Sequence, residues 1–575
     1  MGLDFRNTNT VWASVLVETL ARTGLQTAIA CPGSRSTPLT FAFAAHPGIE
    51  AIPVLDERSA AFFALGIAKR TGRPTAIVCT SGTAGANFYP AVIEARESRV
   101  PLLILTADRP PELRDCHSGQ AIDQVRLYGN YPNWYAELAV PSLDLGLLRY
   151  LRQTIRRAWS ATLAPTPGVV HLNCPFRDPL PPLSQPEAIA LESSFAVEEF
   201  FAAIETRPQR RSRQSVPWSD IVQKRGIIIA GVAQPRDPET YCKAIARLSQ
   251  ALGYPVFAEG LSPVRNYAQL NPHLISTYEI VVRNPQLATR LAPDVVIQVG
   301  DFPTSKVLRA WLDKVQPQRI VIDPSDENLD PLHGKTTHWQ TSVDRLEIPV
   351  SLEPPSQTEF RAAWDEAETA VRTTIDRAFG DIEKTIEPKI AWFLSQILPP
   401  QTALFIANSM PVRDVEFFWK PGDRAIQPYF NRGANGIDGT LSTALGIAHR
   451  GGASVLLTGD LALLHDTNGF LLRDRLAGHL TIILINNNGG GIFEMLPVSQ
   501  FDPPFEEFFA TPQSVNFQQL CATYGVQYEA IASWMQLEQA FKQFPDRGIR
   551  LLEIQCDRKF DARWRKTHLE PNFPQ

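Results

Sequence analysis

A chain of 575 residues exceeds what one hydrophobic core organises, and at roughly 150 residues per domain it predicts three or four of them. Hydrophobic content of 44%, charged content of 20% and a formal net charge of -5 describe an ordinary globular protein, and they exclude the basic footprint of a nucleic-acid binder or of a ligand for anionic membranes. No apolar run reaches the ~18 residues of a membrane span, no secretory core follows Asp4 and Arg6, and the seven cysteines lack paired spacing. They read as reduced thiols, so the expected compartment is the cytoplasm.

Residues 9–23 read as an amphipathic helix, with Asn9 and Thr10 as capping oxygens and Gly24 just past its end. Apolar runs follow at Gln26–Cys31, Ala51–Leu55, Thr75–Cys79 and Pro101–Thr106, separated by helical patterns at 37–46, 57–71 and 84–97. Short, almost wholly apolar strands in such alternation predict a buried parallel sheet. Pro175, Pro179, Pro181, Pro182 and Pro186 form a stiff connector that closes a first domain, 1–186. The second block runs Gly226–Ala230 into Gly231, Asp294–Val299 into Gly300-Asp301, and Arg319–Ile322 into Asp323-Pro324. Such turns mark nucleotide sites and plain tight turns alike; without a complete GxGxxG the plain turn is preferred. Pro354 and Pro355, in a polar stretch near 350–357, predict the next linker and a central domain, 187–355. The third domain, 356–575, repeats the alternation with strands at Ala403–Ala407, Ala453–Thr458, Leu480–Ile485 and Leu551–Gln555. Its helices at 358–380 and 535–544 carry charges of mixed sign and read as solvent-facing. The fold class is α/β, three domains with parallel sheets flanked by helices. The first and third are distantly alike in plan, and no short-period repeat is evident.

Ligands of open parallel sheets bind at the carboxyl ends of strands, and two such ends carry unusual residues. Ala453–Thr458 runs into Gly459-Asp460-Leu461, and Leu480–Ile485 into Asn486-Asn487-Asn488-Gly489-Gly490. The Asp460 carboxylate, the Asn487 amide oxygen and the Gly489 carbonyl are hard oxygen donors of the kind that hold Mg²⁺ or Mn²⁺ against a diphosphate. Their spacing resembles the thiamine-diphosphate motif, in which Gly-Asp precedes Asn-Asn by roughly 25 residues. A second stretch, Leu55-Asp56-Glu57-Arg58-Ser59-Ala60-Ala61 followed by Thr80-Ser81-Gly82-Thr83-Ala84-Gly85-Ala86-Asn87, resembles the pyrimidine-binding half of the same enzymes. There a glutamate, Glu57 here, holds the proton on the aminopyrimidine ring that lets the cofactor deprotonate itself; a desolvated site raises a carboxyl pKa by up to ~3–5 units and suits that task.

Four further stretches narrow the resemblance. Cys31-Pro32-Gly33-Ser34-Arg35-Ser36-Thr37-Pro38, Leu105–Leu113, Asn431–Gly439 and Asn486–Phe493 are similar to the family of menaquinone- and phylloquinone-pathway synthases that make succinyl-enolpyruvyl-hydroxycyclohexene-carboxylate. Leu461 agrees, because most thiamine-diphosphate enzymes carry Gly after Gly-Asp whereas this family carries Leu. The resemblance spans both outer domains and implies a pyrimidine-binding domain, a central domain without cofactor duty, a diphosphate-binding domain, and a homodimer or homotetramer. It also implies two dicarboxylate substrates, 2-oxoglutarate and isochorismate. Arg35, Arg109, Arg413 and Arg432 lie in or beside the matching motifs and suit two dianions, since the planar guanidinium pairs carboxylates bidentately. Ser34 and Gln120 would add neutral hydrogen bonds. Ser409, Met410, Ile437 and Leu461 would line the cofactor, and Ile492 and Phe493 would form an apolar wall where the 2-oxo acid's carboxylate leaves as CO₂. Gly119, where some members carry Asn, is a departure. His117 with Cys116 and Ser118, and His465 with Asp466, read as ordinary loop or capping residues. The alternatives are another thiamine-diphosphate decarboxylase or acetolactate-type carboligase acting on pyruvate, and, more remotely, a non-catalytic nucleotide-binding protein.

Overall fold

A computed structural model of the chain describes residues 3–202, 204, 218, 221–348 and 358–569. Within them the apolar runs become three six-stranded sheets. The first contains β1 (Thr27–Ala30), β2 (Glu50–Pro53), β3 (Thr75–Cys79), β4 (Leu102–Asp108), β5 (Trp134–Glu137) and β6 (Val169–Pro175). The second contains β7 (Gly226–Ala230), β8 (Val256–Ala258), β9 (Leu274–Ile275), β10 (Val295–Val299), β11 (Gln318–Ile322) and β12 (Thr336–Trp339). The third contains β13 (Ala403–Ile406), β14 (Gln427–Tyr429), β15 (Ser454–Gly459), β16 (His479–Asn486), β17 (Gln527–Ile531) and β18 (Gly548–Gln555). Every pairing within the sheets is parallel, and the central strands are buried on both faces, as helices on either side require.

The outer two sheets have the same strand order, β2-β1-β3-β4-β6-β5 and β14-β13-β15-β16-β18-β17. The middle sheet, β12-β11-β10-β7-β8-β9, follows the other doubly wound order. Its switch point lies between β7 and β10, where an antiparallel bridge joins Val232 to Asp301 and a Cβ at Gly231 would fall 2.0 Å from the Asp301 carbonyl oxygen. Backbone fills the crevice a nucleotide would use, which favours the plain-turn reading.

The chain condenses into two units. One holds Met1–Arg210, Asn431–His449 and His465–Ala477; the other holds Arg211–Phe430, Arg450–Leu464 and Gly478–Gln575. In the first unit, the helices Glu57–Thr71 and Thr440–Ala448 cross on a shared sequence, Ala64-Leu65-Gly66-Ile67-Ala68 and Ala444-Leu445-Gly446-Ile447-Ala448. The contact is reciprocal. A Cβ at Gly66 would lie 2.1 Å from the Thr443 carbonyl oxygen and one at Gly446 would lie 2.1 Å from that of Phe63, each 2.9 Å from the other glycine's Cα. In chain order each helix follows the second strand of its sheet and precedes the third, so this five-residue identity is an internal repeat that the sequence reading missed.

Other expectations need correction. The first helix, Thr8–Thr23, is capped by Asn7 in a reciprocal box with Thr10, while Asn9 donates to the Arg177 and Pro179 carbonyls and ties down the proline-rich connector. The helix Thr358–Gly380 is not merely solvent-facing, because Trp364, Ala367, Val371, Ile375 and Phe379 form a buried stripe at helical spacing. The 350–357 linker lies outside the described residues. Among them, no helix is long and apolar enough to cross a membrane.

Candidate active site

In the first unit the motif residues gather at the carboxyl ends of β1, β3 and β4, which are neighbours in the sheet. The Ser34-Arg35 loop follows β1 and presses Gly33 against Thr80, at the end of β3; a Cβ there would fall 2.2 Å from that of Thr80. Ser34 is exposed. Arg35 is buried, donates to the Phe176 carbonyl at 2.9 Å and lies 3.8 Å from the Asp178 carboxylate, and its Nε has no acceptor. Ser81 donates to the Gln120 carbonyl at 2.9 Å, and Arg109 donates twice to the Gly119 carbonyl, at 3.1 and 2.6 Å. Ser34, Arg35, Arg109 and Gln120 therefore belong to one loop cluster.

Glu57 opens the helix Glu57–Thr71 beyond β2, half-buried. Both of its neighbours are anchored. Asp56 caps the helix through Ser59 N–H at 3.0 Å and accepts from Asn468 Nδ2 at 2.6 Å, while Arg58 donates to the His465 carbonyl at 2.9 Å. Asp466, fully buried, accepts from Ser442 N–H at 2.7 Å and Oγ at 3.1 Å at the start of the helix Thr440–Ala448, and burial pushes its carboxyl up to about 6. The Arg432 loop is held by buried Glu94, which accepts from Gly433 N–H at 3.1 Å and Ala434 N–H at 2.7 Å and pairs with Lys69 at 3.7 Å. Ile437 ends this loop half-buried, its carbonyl accepting from Thr440 Oγ1 at 2.7 Å.

The second unit holds the other cluster, at the ends of the neighbouring strands β15 and β16. Asp460 is buried and joins the two ends: Oδ1 accepts from Leu461 N–H and Oδ2 from Gly489 N–H, both at 2.8 Å. Burial pushes its carboxyl up to about 6 despite those donors. The three asparagines are held separately. Asn486 Nδ2 donates to Glu553 at 2.6 Å, Asn487 Nδ2 to Glu387 at 3.3 Å, and the Asn488 carbonyl accepts from Arg558 at 2.8 Å. Gly489 turns at φ 131, where a Cβ would meet the Ala510 carbonyl oxygen at 2.3 Å. Its own carbonyl accepts from Gly491 N–H at 2.9 Å and keeps a second lone pair. Asn487 Oδ1 is buried with no donor.

The profile described as "Thiamine pyrophosphate enzyme, N-terminal TPP binding domain" matches residues 11–127, and "Middle domain of thiamine pyrophosphate" matches 197–406. A 2-succinyl-5-enolpyruvyl-6-hydroxy-3-cyclohexene-1-carboxylate synthase of a Nostoc species is 64% identical over 578 residues, covering 100% of this chain and 99% of the relative. The enzyme of the same name from Trichodesmium erythraeum is 61% identical, with 99% of each chain covered. The chain belongs to this synthase family. Among solved structures, benzoylformate decarboxylase from Polynucleobacter necessarius shares the fold at a TM-score of 0.66 and 14% identity, over 95% of this chain and 98% of that one.

The donor set of this synthase-family chain fits a hard cation on a diphosphate. A buried amide oxygen without a donor, beside a buried carboxylate and a turn carbonyl, is a set that a divalent cation satisfies. Among the described residues, no group of three or more His, Cys, Asp and Glu could hold a metal; the donors gathered here are one carboxylate, one side-chain amide oxygen and one backbone carbonyl. Nearby, Ser409 follows β13 at φ 76 and ψ -127, a conformation costing ~1–3 kcal/mol for a side-chain-bearing residue and kept where surroundings impose it. Arg413 Nη1 donates to its carbonyl at 2.6 Å, and Met410 beside it is buried. Leu461 is half-buried, as are Ile492 and Phe493 on the short turn Gly491–Met495, with Phe493 edge-on to Phe509 at 5.8 Å. Sequence reasoning missed Glu94, Glu387, Asp56 and Asn468. Asp56 had a signal, standing next to Glu57 at a helix start; Glu387, 100 residues from Asn487, had none.

Proposed function

We propose that this chain decarboxylates 2-oxoglutarate and joins the four-carbon remainder to isochorismate by conjugate addition, giving 2-succinyl-5-enolpyruvyl-6-hydroxy-3-cyclohexene-1-carboxylate. The observation that carries this reading is full-length identity of 64% to a synthase of that name. It is supported by a cation donor set at the ends of β15 and β16 and an anchored glutamate beyond β2. Thiamine diphosphate, when bound, supplies a nucleophilic carbon and an electron sink for decarboxylation. Asp460, Asn487 Oδ1 and the Gly489 carbonyl would hold Mg²⁺ or Mn²⁺ against its diphosphate. Glu57 would hold a proton at the aminopyrimidine ring through its carboxyl group. Ser409, Met410, Ile437 and Leu461 would line the cofactor. Arg35, Arg109, Arg413 and Arg432 would pair the carboxylates of the two substrates, with Ser34 and Gln120 adding neutral hydrogen bonds. Ile492 and Phe493 would keep water from the carbon that loses CO₂.

The division into a pyrimidine domain (1–186), a central domain (187–355) and a diphosphate domain (356–575) belongs to the same reading, as do a dimeric or tetrameric assembly and a cytoplasmic setting. Ultraviolet monitoring of isochorismate tests the function. Consumption should require 2-oxoglutarate, thiamine diphosphate and Mg²⁺ together. Consumption with pyruvate in place of 2-oxoglutarate would favour a pyruvate-type carboligase instead.

A further inference from the structure

Asn487 is the one proposed cation ligand whose useful atom depends on which way a side-chain amide is turned. Turned one way it offers an oxygen to the cation, and turned the other way it offers two N–H donors that would repel it. Its surroundings decide. Glu387 Oε2 lies 3.3 Å from Asn487 Nδ2, and a carboxylate can only accept, so the atom facing it must be the NH₂ group. Oδ1 then faces away, buried and without a donor.

Glu387 is itself fixed at several points. It begins the helix Glu387–Ile397 and is 1% exposed. Its backbone N–H donates to Asp561 Oδ2 at 3.3 Å, and its carboxylate receives Arg565 Nη2 at 2.9 Å. Arg565, wholly buried, also forks onto Asp414, with Nε at 2.8 Å from Oδ1 and Nη2 at 2.5 Å from Oδ2. Asp561 and Arg565 stand four residues apart on the helix Arg558–Leu569, and Arg558, at the start of that helix, grips the Asn488 carbonyl. The C-terminal helix thus holds the asparagine turn twice, once directly and once through Glu387.

We propose that Glu387 is a positioning residue for cation binding, selecting the amide orientation of Asn487, and that Arg565 and Asp414 keep its carboxylate in place. The inference rests on the reading of Asp460, Asn487 and Gly489 as the metal–diphosphate clamp. Outer partners that orient metal ligands are typically worth 10–100-fold in metal affinity.

The test is titration of Mg²⁺ into the full-length protein at fixed, saturating thiamine diphosphate, followed by intrinsic tryptophan fluorescence. Glu387→Gln, nearly isosteric, can present either end of its amide to Asn487 and should weaken Mg²⁺ about 10- to 100-fold. The exchange variant Glu387→Gln/Asn487→Asp keeps the net charge and the hydrogen bond. In it the introduced glutamine amide donates, and the introduced aspartate turns its free oxygen to the cation. It should recover most of that affinity, which a purely structural role for Glu387 would not predict. Should Glu387→Gln alone fail to fold, the exchange variant is compared with the parent directly, and an Mg²⁺ affinity more than about tenfold below the parent's overturns the proposal. Affinity within threefold of the parent in Glu387→Gln, or no recovery in the exchange variant, overturns the proposal. Asp460→Asn separates this from failure of the underlying reading. If it too binds Mg²⁺ like the parent, the clamp itself is misassigned and the proposal falls with it; if it alone loses Mg²⁺, only the role of Glu387 is wrong.

Discussion

The first and third sheets have one strand order and place one pentapeptide, Ala-Leu-Gly-Ile-Ala, on the helix after the second strand of each. What differs is the chemistry at their strand ends. In the first, the helix beyond β2 starts with Glu57, a carboxyl held in place through its neighbours Asp56 and Arg58. In the third, the ends of β15 and β16 hold Asp460, Asn487 and Gly489, joined by a hydrogen bond from Gly489 N–H. A repeated scaffold can thus carry two unlike tasks, because residues at the carboxyl ends of strands are free to diverge while those that pack helix on helix are not. In the proposed reading, the first end moves a proton and the third holds a diphosphate.

The comparison breaks most visibly at Glu57. Glu57→Gln should cut turnover about 10²- to 10⁴-fold, the usual worth of a general acid–base group; near-normal turnover with both substrates would remove its role. Next come the arginines. Arg413→Ala or Arg432→Ala should cost about 2–5 kcal/mol of substrate interaction, read as a loss in kcat/KM, and an effect below threefold at both sites would put the carboxylate pocket elsewhere. The shared scaffold is probed by Gly66→Ala, whose new methyl group would strike backbone at 2.1 Å. Overpacking there should cost about 3 kcal/mol, seen as a clear fall in melting temperature, and Gly446→Ala should behave alike because the contact is reciprocal.

The smallest expected effect concerns pH. Burial pushes His171 down to about 3 from an ordinary 6.5, so below pH 6.5 the unfolded chain takes up a proton that the folded one refuses. Stability from this group is complete above pH 6.5 and drains away as pH falls toward 3. Asp466, pushed up to about 6, acts in the opposite sense, since the folded chain keeps a proton between pH 6 and 3.8 that the unfolded chain releases. Between pH 7 and 5, the parent should lose about 2 kcal/mol more stability than His171→Asn, in which Asp466 is unchanged. Equal losses would mean that His171 does not titrate as its burial requires.

Much of this was legible in the sequence, for a physical reason. Strands buried on both faces are continuous apolar runs, so β3, β7 and β16 were visible within a residue or so. Three of the edge strands were not: β5 is half-buried throughout, β14 contains Pro428, and β17 buries only Ile531, so none offers an apolar run. The candidate residues were found where glycine, asparagine and acidic residues cluster after a strand. Glu387 could not be found that way, since its helix start shows only an acidic residue before Pro388, and its meaning comes from where folding brings Asn487 and Arg565.

Calorimetric titration of thiamine diphosphate in the presence of Mg²⁺ into Glu57→Gln and Asp460→Asn tests the division of labour most directly. The account predicts that Glu57→Gln binds the cofactor within about threefold of the parent while its turnover collapses, and that Asp460→Asn loses measurable binding. Intact binding in Asp460→Asn, or binding lost in Glu57→Gln with turnover recovered at high cofactor concentration, would contradict it.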